Sequence, residues 1–387
     1  MNKEYKLNFL FWTLSRFGGT RIMFEVVNYL AKSNYKIKIF GVHGNPEWFN
    51  LNKKVKVFEM EKASYLKTLN LLFPLFKRMY NKEIDWLEFE RIVGKITNSK
   101  FLYEKVKKRI EKFDGGFWIT GFYQAAYTLS LLRKPFLFYV LDFPESVKEL
   151  CNLHLQTCYS IFLKTLSLKN VIYVALSKYV AEFIKKYNKD VEVKAVYPAV
   201  DHKIFKPVKM KMFEEVKELK IMLLTNWRRW KRTDFGIKIL NEVNKKIKIF
   251  GILTGSLRGF RKIKNKIKFK YVYYPNPSDK LLAKLYSSAD FFLFPSKCES
   301  FGLPILEAMA CKTIPIHTTK GAPLEFTKDG VNSFIMLENN PKNIAEKIVR
   351  LKQYDLESIR KNAFKTSKKF NWEKTGKEIK KIVKGIK

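Results

Sequence analysis

Two consecutive α/β domains, each built on a parallel sheet, are the architecture this chain of 387 residues predicts. Three observations carry the prediction. Short apolar runs alternate with amphipathic helix patterns along most of the length, as strand–helix–strand crossovers require. The alternation pauses once, near 204–213, where Pro207 sits among lysines and methionines, and then restarts. A chain of 387 residues also exceeds what one ordinary hydrophobic core sustains. We therefore expect an N-terminal Rossmann-like domain over 1–203, a second over 204–370, and a terminal helix over 371–387 packing toward the first.

In the first domain, strands are expected at 6–13, 36–42, 55–59, 117–120, 136–141, 171–176 and 193–197. Gly18-Gly19 makes a loop after the first of these, and a helix follows from about 21 to 33. Residues 61–112 read as mostly helical, with irregular charge and no clear strand signal. Ser177 is a good N-cap, because its hydroxyl can accept from the open N–H groups of a helix start. In the second domain the expected strands are 221–225, 248–253, 268–272, 291–294, 313–317 and 333–336. Asn340-Pro341 is a cap followed by a first-turn proline. The last helix sets Ile379, Ile382, Val383 and Ile386 on one face and lysines on the other. Ligands of such sheets bind beyond the carboxyl ends of the strands.

Composition narrows the function. A hydrophobic content of 47% with 15% aromatic residues belongs to a folded chain. The net charge of +39, from 75 basic against 36 acidic residues, favours polyanions: nucleic acid, anionic lipid or phosphorylated metabolites. The lysines are dispersed along the chain, however, so a solvated basic surface accounts for most of the excess. No apolar run reaches the length of a membrane span, and 7–14 lacks the cleavage site of a signal peptide. A cytoplasmic location is the expectation. Four cysteines do not make a disulfide framework. Cys151, His154 and Cys158 share a helical face without a fourth metal ligand, which favours a core stripe over zinc. The four histidines make no HExxH, and no Asp-x-Asp pair exists to hold a nucleotide-bound cation.

The most informative segment is Pro295-Ser296-Lys297-Cys298-Glu299-Ser300-Phe301-Gly302-Leu303-Pro304-Ile305-Leu306-Glu307-Ala308-Met309-Ala310. An apolar strand at 291–294 leads into it, and Pro304 suits the first turn of a helix. The open N–H groups and macrodipole of that helix start attract an anion, and Gly302 lets the backbone approach it. Glu299 before the helix and Glu307 within its first turn or so can flank such a ligand and accept from sugar hydroxyls.

In these residues the second half resembles the donor-binding domain of family 4 glycosyltransferases, the group 1 glycosyl transferases of GT-B fold. Further matches are Thr319-Lys320-Gly321-Ala322-Pro323-Leu324-Glu325, Asp329-Gly330-Val331-Asn332, Tyr197-Pro198-Ala199-Val200-Asp201 with Phe205, and Ala289-Asp290. The resemblance covers about 171–371 well and 49–117 weakly. It implies a retaining, metal-independent transferase with no bound cofactor. Its co-substrate would be a UDP- or GDP-linked sugar, moved to a hydroxyl of a glycan, lipid or glycoprotein. Carried over residue by residue, Glu307 would bind the donor ribose, the N–H groups near Phe301, Gly302 and Leu303 its phosphates, and Glu299 the donor sugar. Lys231 and one of Arg228 or Arg229 would meet the diphosphate and stabilise charge on the leaving oxygen. Gly18-Gly19 resembles the family's glycine loop near donor phosphate or acceptor.

Plainer readings stand beside these. Glu307 could serve only the helix dipole, Glu299 a surface lysine, and 228–231 a solvated basic turn. Gly18-Gly19 could simply make a tight turn, and Asp142 could either position the acceptor hydroxyl or cap a helix. The chain also departs from the family pattern. Lys312 stands where glycine usually ends the motif helix, so another C-cap is expected. Tyr273-Tyr274-Pro275 replaces a glycine-bearing turn near the nucleobase. The acceptor side is thin: 65–80 mixes apolar and basic residues and suits either an anionic membrane inner face or a core helix interrupted by Pro74. Two other classes share features with the chain: GT-B-like nucleotide-sugar epimerases or phosphorylases, and basic nucleic-acid-binding proteins. The first lacks a histidine-rich cleft or cofactor lysine, and the second lacks a concentrated basic stripe, so no specific nucleic-acid partner is expected.

Overall fold

The computed structural model describes residues 5–60, 100–113, 115–143, 147 and 156–386. The segment 65–80, together with Cys151 and His154, lies outside them. The chain divides into two compact units: Met1–Tyr197 with Glu373–Lys387, and Pro198–Trp372.

The first unit is a seven-stranded parallel sheet in the order β3-β2-β1-β4-β5-β6-β7. Its strands are β1 (Tyr5–Thr13), β2 (Tyr35–His43), β3 (Lys56–Glu59), β4 (Phe117–Thr120), β5 (Phe136–Val140), β6 (Val171–Ala175) and β7 (Val193–Ala195). A parallel sheet is covered on both faces, which is why β5 is buried throughout instead of alternating. Ser177 caps its helix by accepting from the Val180 N–H. The helix after β1, α1 (Gly18–Ala31), starts earlier than the sequence pattern suggested. Gly18-Gly19 therefore forms its first turn, following the extended Phe17. The terminal helix Trp372–Gly385 packs in this unit from Glu373 onward. A Cβ on Gly376 would stand 2.1 Å from the Tyr29 ring, so only glycine permits that approach. Thr375 donates to the Tyr197 carbonyl at 2.8 Å and Lys380 to the Ser33 hydroxyl at 2.8 Å. Of the four expected apolar contacts, Ile379 and Val383 are buried; Ile382 and Ile386 are only half-buried.

The second unit has a six-stranded parallel sheet in the order β10-β9-β8-β11-β13-β15. These are β8 (Leu219–Thr225), β9 (Ile249–Gly255), β10 (Lys270–Pro275), β11 (Phe291–Phe294), β13 (Ile314–His317) and β15 (Phe334–Ile335). Two short strands outside it, β12 (Cys298–Glu299) and β14 (Lys320–Gly321), pair with each other in parallel. Residues 198–203 fall in this unit because they are tied to its last helical turn. The Val200 N–H donates to the Phe370 carbonyl, and the His202 ring nitrogen Nε2 lies 3.2 and 3.1 Å from the Ser367 and Phe370 carbonyls. Its core runs from Ile221 and Leu223 through Phe291 and Leu293 to Ile314 and Ile316, under helices that supply Ile239, Leu240 and Ile344. Asn340 caps the helix Pro341–Arg350, its side chain accepting from the Lys342 N–H.

In both sheets the strand order reverses once, between β1 and β4 and between β8 and β11. At such a switch point neighbouring crossovers leave in opposite directions and open a crevice beyond the strand ends. In the second unit, the loops after β8 and β11 that carry the basic run and the Glu299 motif lie there.

Candidate active site

The loop after β8 is fixed by its own polar side chains. Thr233, which opens the helix α2 (Thr233–Lys246), accepts from the Asn226 N–H at 2.9 Å and donates to the Asn226 carbonyl at 3.0 Å. The Asn226 side-chain oxygen accepts from the Arg228 N–H at 3.0 Å, an Asx turn. One 3-10 turn, Arg229–Lys231, follows, and Arg232 reverses the chain at φ 51°, its guanidinium 3.7 Å from the Phe235 ring centroid. Arg228 stands over the Trp227 and Trp230 rings at 5.7 and 5.1 Å, while Arg229 is exposed.

The motif loop is tied to this turn at two points. The Lys297 N–H donates to the Trp230 carbonyl at 2.8 Å. The Lys231 ammonium donates to Glu299 Oε1 at 2.5 Å. Glu299 is 7% exposed, so its carboxylate is no solvated surface charge. It occupies β12 opposite Gly321, a short strand where a plain loop was expected. Lys231 keeps two further N–H donors beyond the one given to Glu299.

Gly302 holds the entry to the helix α3 (Leu303–Ala310) at φ 93° and ψ 46°, and a Cβ there would come within 2.9 Å of Pro323. Glycine is thus required twice over, by backbone conformation and by space. Phe301 is buried against Phe326 and Phe370, with ring centroids 5.4 and 5.7 Å apart, which anchors the turn. Leu303 and Pro304 form the first turn, where no acidic residue stands. Glu307 falls in the second turn, half-buried, so complementing the helix dipole does not explain it.

Lys312 behaves differently from the expectation. It supplies no alternative cap but takes up the left-handed conformation itself, at φ 61°. The Thr313 N–H donates to the Ala308 carbonyl at 3.0 Å and the Lys312 N–H to Met309 at 3.1 Å, the bond pair of a Schellman cap. A residue with a Cβ is strained there. Lys312→Gly is expected to raise stability by about 0.5–1 kcal/mol, read from urea unfolding midpoints at constant slope.

Gly18, Gly19 and Asp142 belong to the first unit. Neither glycine has a positive φ. Gly18 faces open space, and a Cβ on Gly19 would only touch Leu141 at 3.4 Å, so a tight turn does not require the pair. Asp142 is half-buried just beyond β5. Among the described residues, no group of three or more His, Cys, Asp or Glu is placed to hold a metal ion.

Sequence reasoning missed several neighbours of the site. Thr233 clamps the basic turn, and Pro323 sets the space over Gly302. Arg258, after β9, lies 4.3 Å from the Trp227 ring centroid. Tyr286 is fully buried, and burial together with the nearby Glu307 carboxylate pushes its hydroxyl well above the ordinary tyrosine range. None of these carries a motif of its own. Tyr286 belongs to a helix whose buried face reads simply as core.

Two parallel-sheet units, each with a single switch point and one bearing this loop pair, define the GT-B class of architecture. Solved structures agree. Over 99% of both chains, the fold matches sucrose-phosphate synthase from Thermosynechococcus elongatus with a TM-score of 0.76 at 16% identity. It matches Anabaena HepE, solved in complex with UDP-glucose, with a TM-score of 0.73 at 15% identity, over 98% of this chain and 100% of that one. Residues 209–369 match the family model for glycosyl transferases group 1. An uncharacterized glycosyltransferase of Methanocaldococcus jannaschii is 31% identical over 155 residues, 38% of this chain and 44% of that protein. A probable sucrose-phosphate synthase of Thermosipho melanesiensis is 36% identical over 106 residues, 26% of this chain and 24% of that protein. The chain thus matches less than half the length of these relatives.

Proposed function

We propose that this protein is a glycosyltransferase that moves a sugar from a nucleotide-sugar donor to a hydroxyl of a glycan, lipid or glycoprotein. The observation that carries the reading is the Lys231–Glu299 pair, which joins the two switch-point loops within a group 1 glycosyl transferase unit. A carboxylate that holds a lysine beside a glycine-opened helix start suits a ligand that is anionic at one end and rich in hydroxyls at the other. In the reaction, the acceptor oxygen bonds to the anomeric carbon and that carbon's bond to the diphosphate oxygen breaks. The acceptor proton is released, and the nucleoside diphosphate leaves with the electron pair.

In this reading Lys231, with Arg228 or Arg229, takes up charge on the leaving diphosphate. The N–H groups around Phe301, Gly302 and Leu303 hold its phosphates, Glu307 accepts from the ribose hydroxyls, and Glu299 accepts from the donor sugar. Retention of anomeric configuration and independence from metal and cofactor rest on the resemblance to family 4. A uridine or guanosine diphosphate sugar is the proposed donor; that Anabaena HepE was solved with UDP-glucose favours uridine. Among the described residues no helix is long and apolar enough to cross a membrane, and peripheral contact with an anionic inner face stays a proposal resting on the basic charge.

A thermal-shift panel of UDP, GDP, ADP and their sugars, run in EDTA, tests the reading. One nucleotide at a hundred times its Kd is expected to stabilise the fold by about 2.7 kcal/mol. Glu307→Ala is expected to weaken that nucleotide about tenfold to a hundredfold, the scale of a lost hydrogen bond to a charged group. Stabilisation by none of them would overturn it.

A further inference from the structure

The amino-terminal ends of β8, β9 and β10, opposite the crevice, surround a cavity of about 480 Å³, a size typical of small-molecule sites. Lys248, Lys268 and Lys270 line it with one carboxylate, Glu218. Its apolar wall is Ile249 and Phe269, both buried, and the half-buried Ile267. The Lys270 ammonium lies 3.5 Å from Glu218. On the adjoining end of α2, Lys245 pairs with Glu242 and Lys246 with Glu346, at 2.7 and 3.5 Å. Lys248 and Lys268 have no ion-pair partner among the described residues, so the lining keeps two uncompensated positive charges.

The fold holds these charges in place. Asn241 and Asn244, one turn apart on α2, use both ends of their amides on the backbone of the basic segments. Asn241 donates to the Lys266 carbonyl at 2.8 Å and accepts from the Lys268 N–H at 2.9 Å. Asn244 donates to the Lys268 carbonyl at 2.9 Å and accepts from the Ile249 N–H at 3.3 Å. Ile263, Ile267 and Phe269 turn inward, and Lys264, Lys266 and Lys268 stay exposed. From 243 to 278 lysine and arginine recur without a single Asp or Glu. The lysine excess reads as dispersed along the sequence, but the two asparagines gather this part of it by tying 266–268 to the end of α2 and the start of β9. Like charges fixed around one cavity repel each other when it is empty and favour a bound anion.

We propose that this cavity binds a phosphate monoester bearing an apolar group, either as a free ester or as a lipid head group. A monoester carries about two negative charges at neutral pH, matching Lys248 and Lys268, and its oxygens accept from both ammoniums. Ile249, Ile267 and Phe269 meet the apolar group. The site lies about 20 Å from the donor crevice, the length of β9, and does not depend on the assignments made there.

The test is calorimetric titration of the full chain with phenyl phosphate. Saturable binding is expected, and Lys248→Gln/Lys268→Gln should raise its Kd about tenfold to a hundredfold while Tm holds, since both lysines are exposed. Methyl phenyl phosphate, a diester with the same ring and one charge fewer, should bind about tenfold more weakly. Lys231→Ala, at the other end of the strands, should leave the Kd unchanged. So should Lys352→Gln/Lys361→Gln, which removes the same net charge from exposed positions elsewhere. Flotation with phosphatidylcholine vesicles containing phosphatidic acid, against the same vesicles containing phosphatidylglycerol, then identifies the source. A preference for phosphatidic acid that the Lys248/Lys268 variant loses indicates a lipid head group; phenyl phosphate binding without that preference indicates a soluble ester. An unchanged Kd in Lys248→Gln/Lys268→Gln, equal affinity for the diester, or no saturable binding would overturn the site. Loss of binding in Lys231→Ala would also overturn it, by placing the phosphate in the donor crevice, as would an equal loss in Lys352→Gln/Lys361→Gln, by making net charge the cause.

Discussion

Replacing Lys231 with alanine is expected to lower the rate of sugar transfer, or of donor hydrolysis, by roughly 10²–10³-fold, the scale of losing one preorganised group from a developing oxyanion. The same change should cost stability. Its ammonium donates to Glu299 Oε1 at 2.5 Å, and the Glu299 side chain is only 9% exposed. Removing the lysine leaves a buried carboxylate without its cation, which costs about 3 kcal/mol when such a pair is broken from one side. The two effects separate in the double variant Lys231→Ala/Glu299→Gln. Taking away the stranded charge should return most of the stability, read from urea unfolding, while transfer stays lost. Recovery of transfer along with stability would mean that the pair only holds the loops together.

A second large effect concerns acid. His317 ends β13, is fully buried, and sits 3.1 Å from the Thr327 hydroxyl through Nε2. Thr327 donates in turn to the Pro323 carbonyl at 2.7 Å, so it accepts from His317 and fixes the neutral ring with its proton on Nε2. Burial drives the His317 pKa down from 6.5 to about 4. The folded state thus binds this proton less readily than the unfolded chain. Stability contributed by neutral His317 is complete above pH 6.5, falls as pH drops from 6.5 toward 4, and levels off below 4. A shift of that size corresponds to roughly 3 kcal/mol. His202, lowered by burial and then by Lys368, adds a loss of the same sign. Unfolding free energies across that pH range should show the slope in the parent and a flatter profile in His317→Gln. Equal slopes in the two would assign the acid sensitivity elsewhere. The chain from His317 through Thr327 reaches Pro323, whose ring bounds the space over Gly302, so acid should also loosen the helix entry that the phosphate reading depends on.

The fold was legible because parallel strands buried on both faces write themselves as short apolar runs. The run 291–294 matches β11 at both ends and 117–120 matches β4. Strand ends drifted where half-buried residues continue the ladder, as Leu219 and Lys220 do in β8. The start of α1 was missed because two glycines imitate a loop; in the structure they carry ordinary helical backbone. Lys312 misled for a related reason: residue type forecasts a left-handed cap only when the residue is glycine, whereas the cap's hydrogen bonds formed around lysine regardless.

At the site, Glu299, Gly302, Glu307 and Lys231 were visible because they sit in one motif and one basic run. What the sequence could not contain is the distance between them. Lys231 and Glu299 are sixty-eight positions apart and meet only because β8 and β11 are neighbours at the switch point. Tyr286 was invisible for the opposite reason. A tyrosine on the buried face of a helix looks like any core aromatic until its hydroxyl is found beside a carboxylate.

The most direct measurement is a calorimetric titration of the intact chain with UDP-glucose and GDP-mannose in EDTA, repeated on Glu307→Ala. The account predicts saturable one-to-one binding of one donor without metal, weakened at least tenfold by the substitution. Binding that survives Glu307→Ala unchanged, or no binding of either donor, would contradict it.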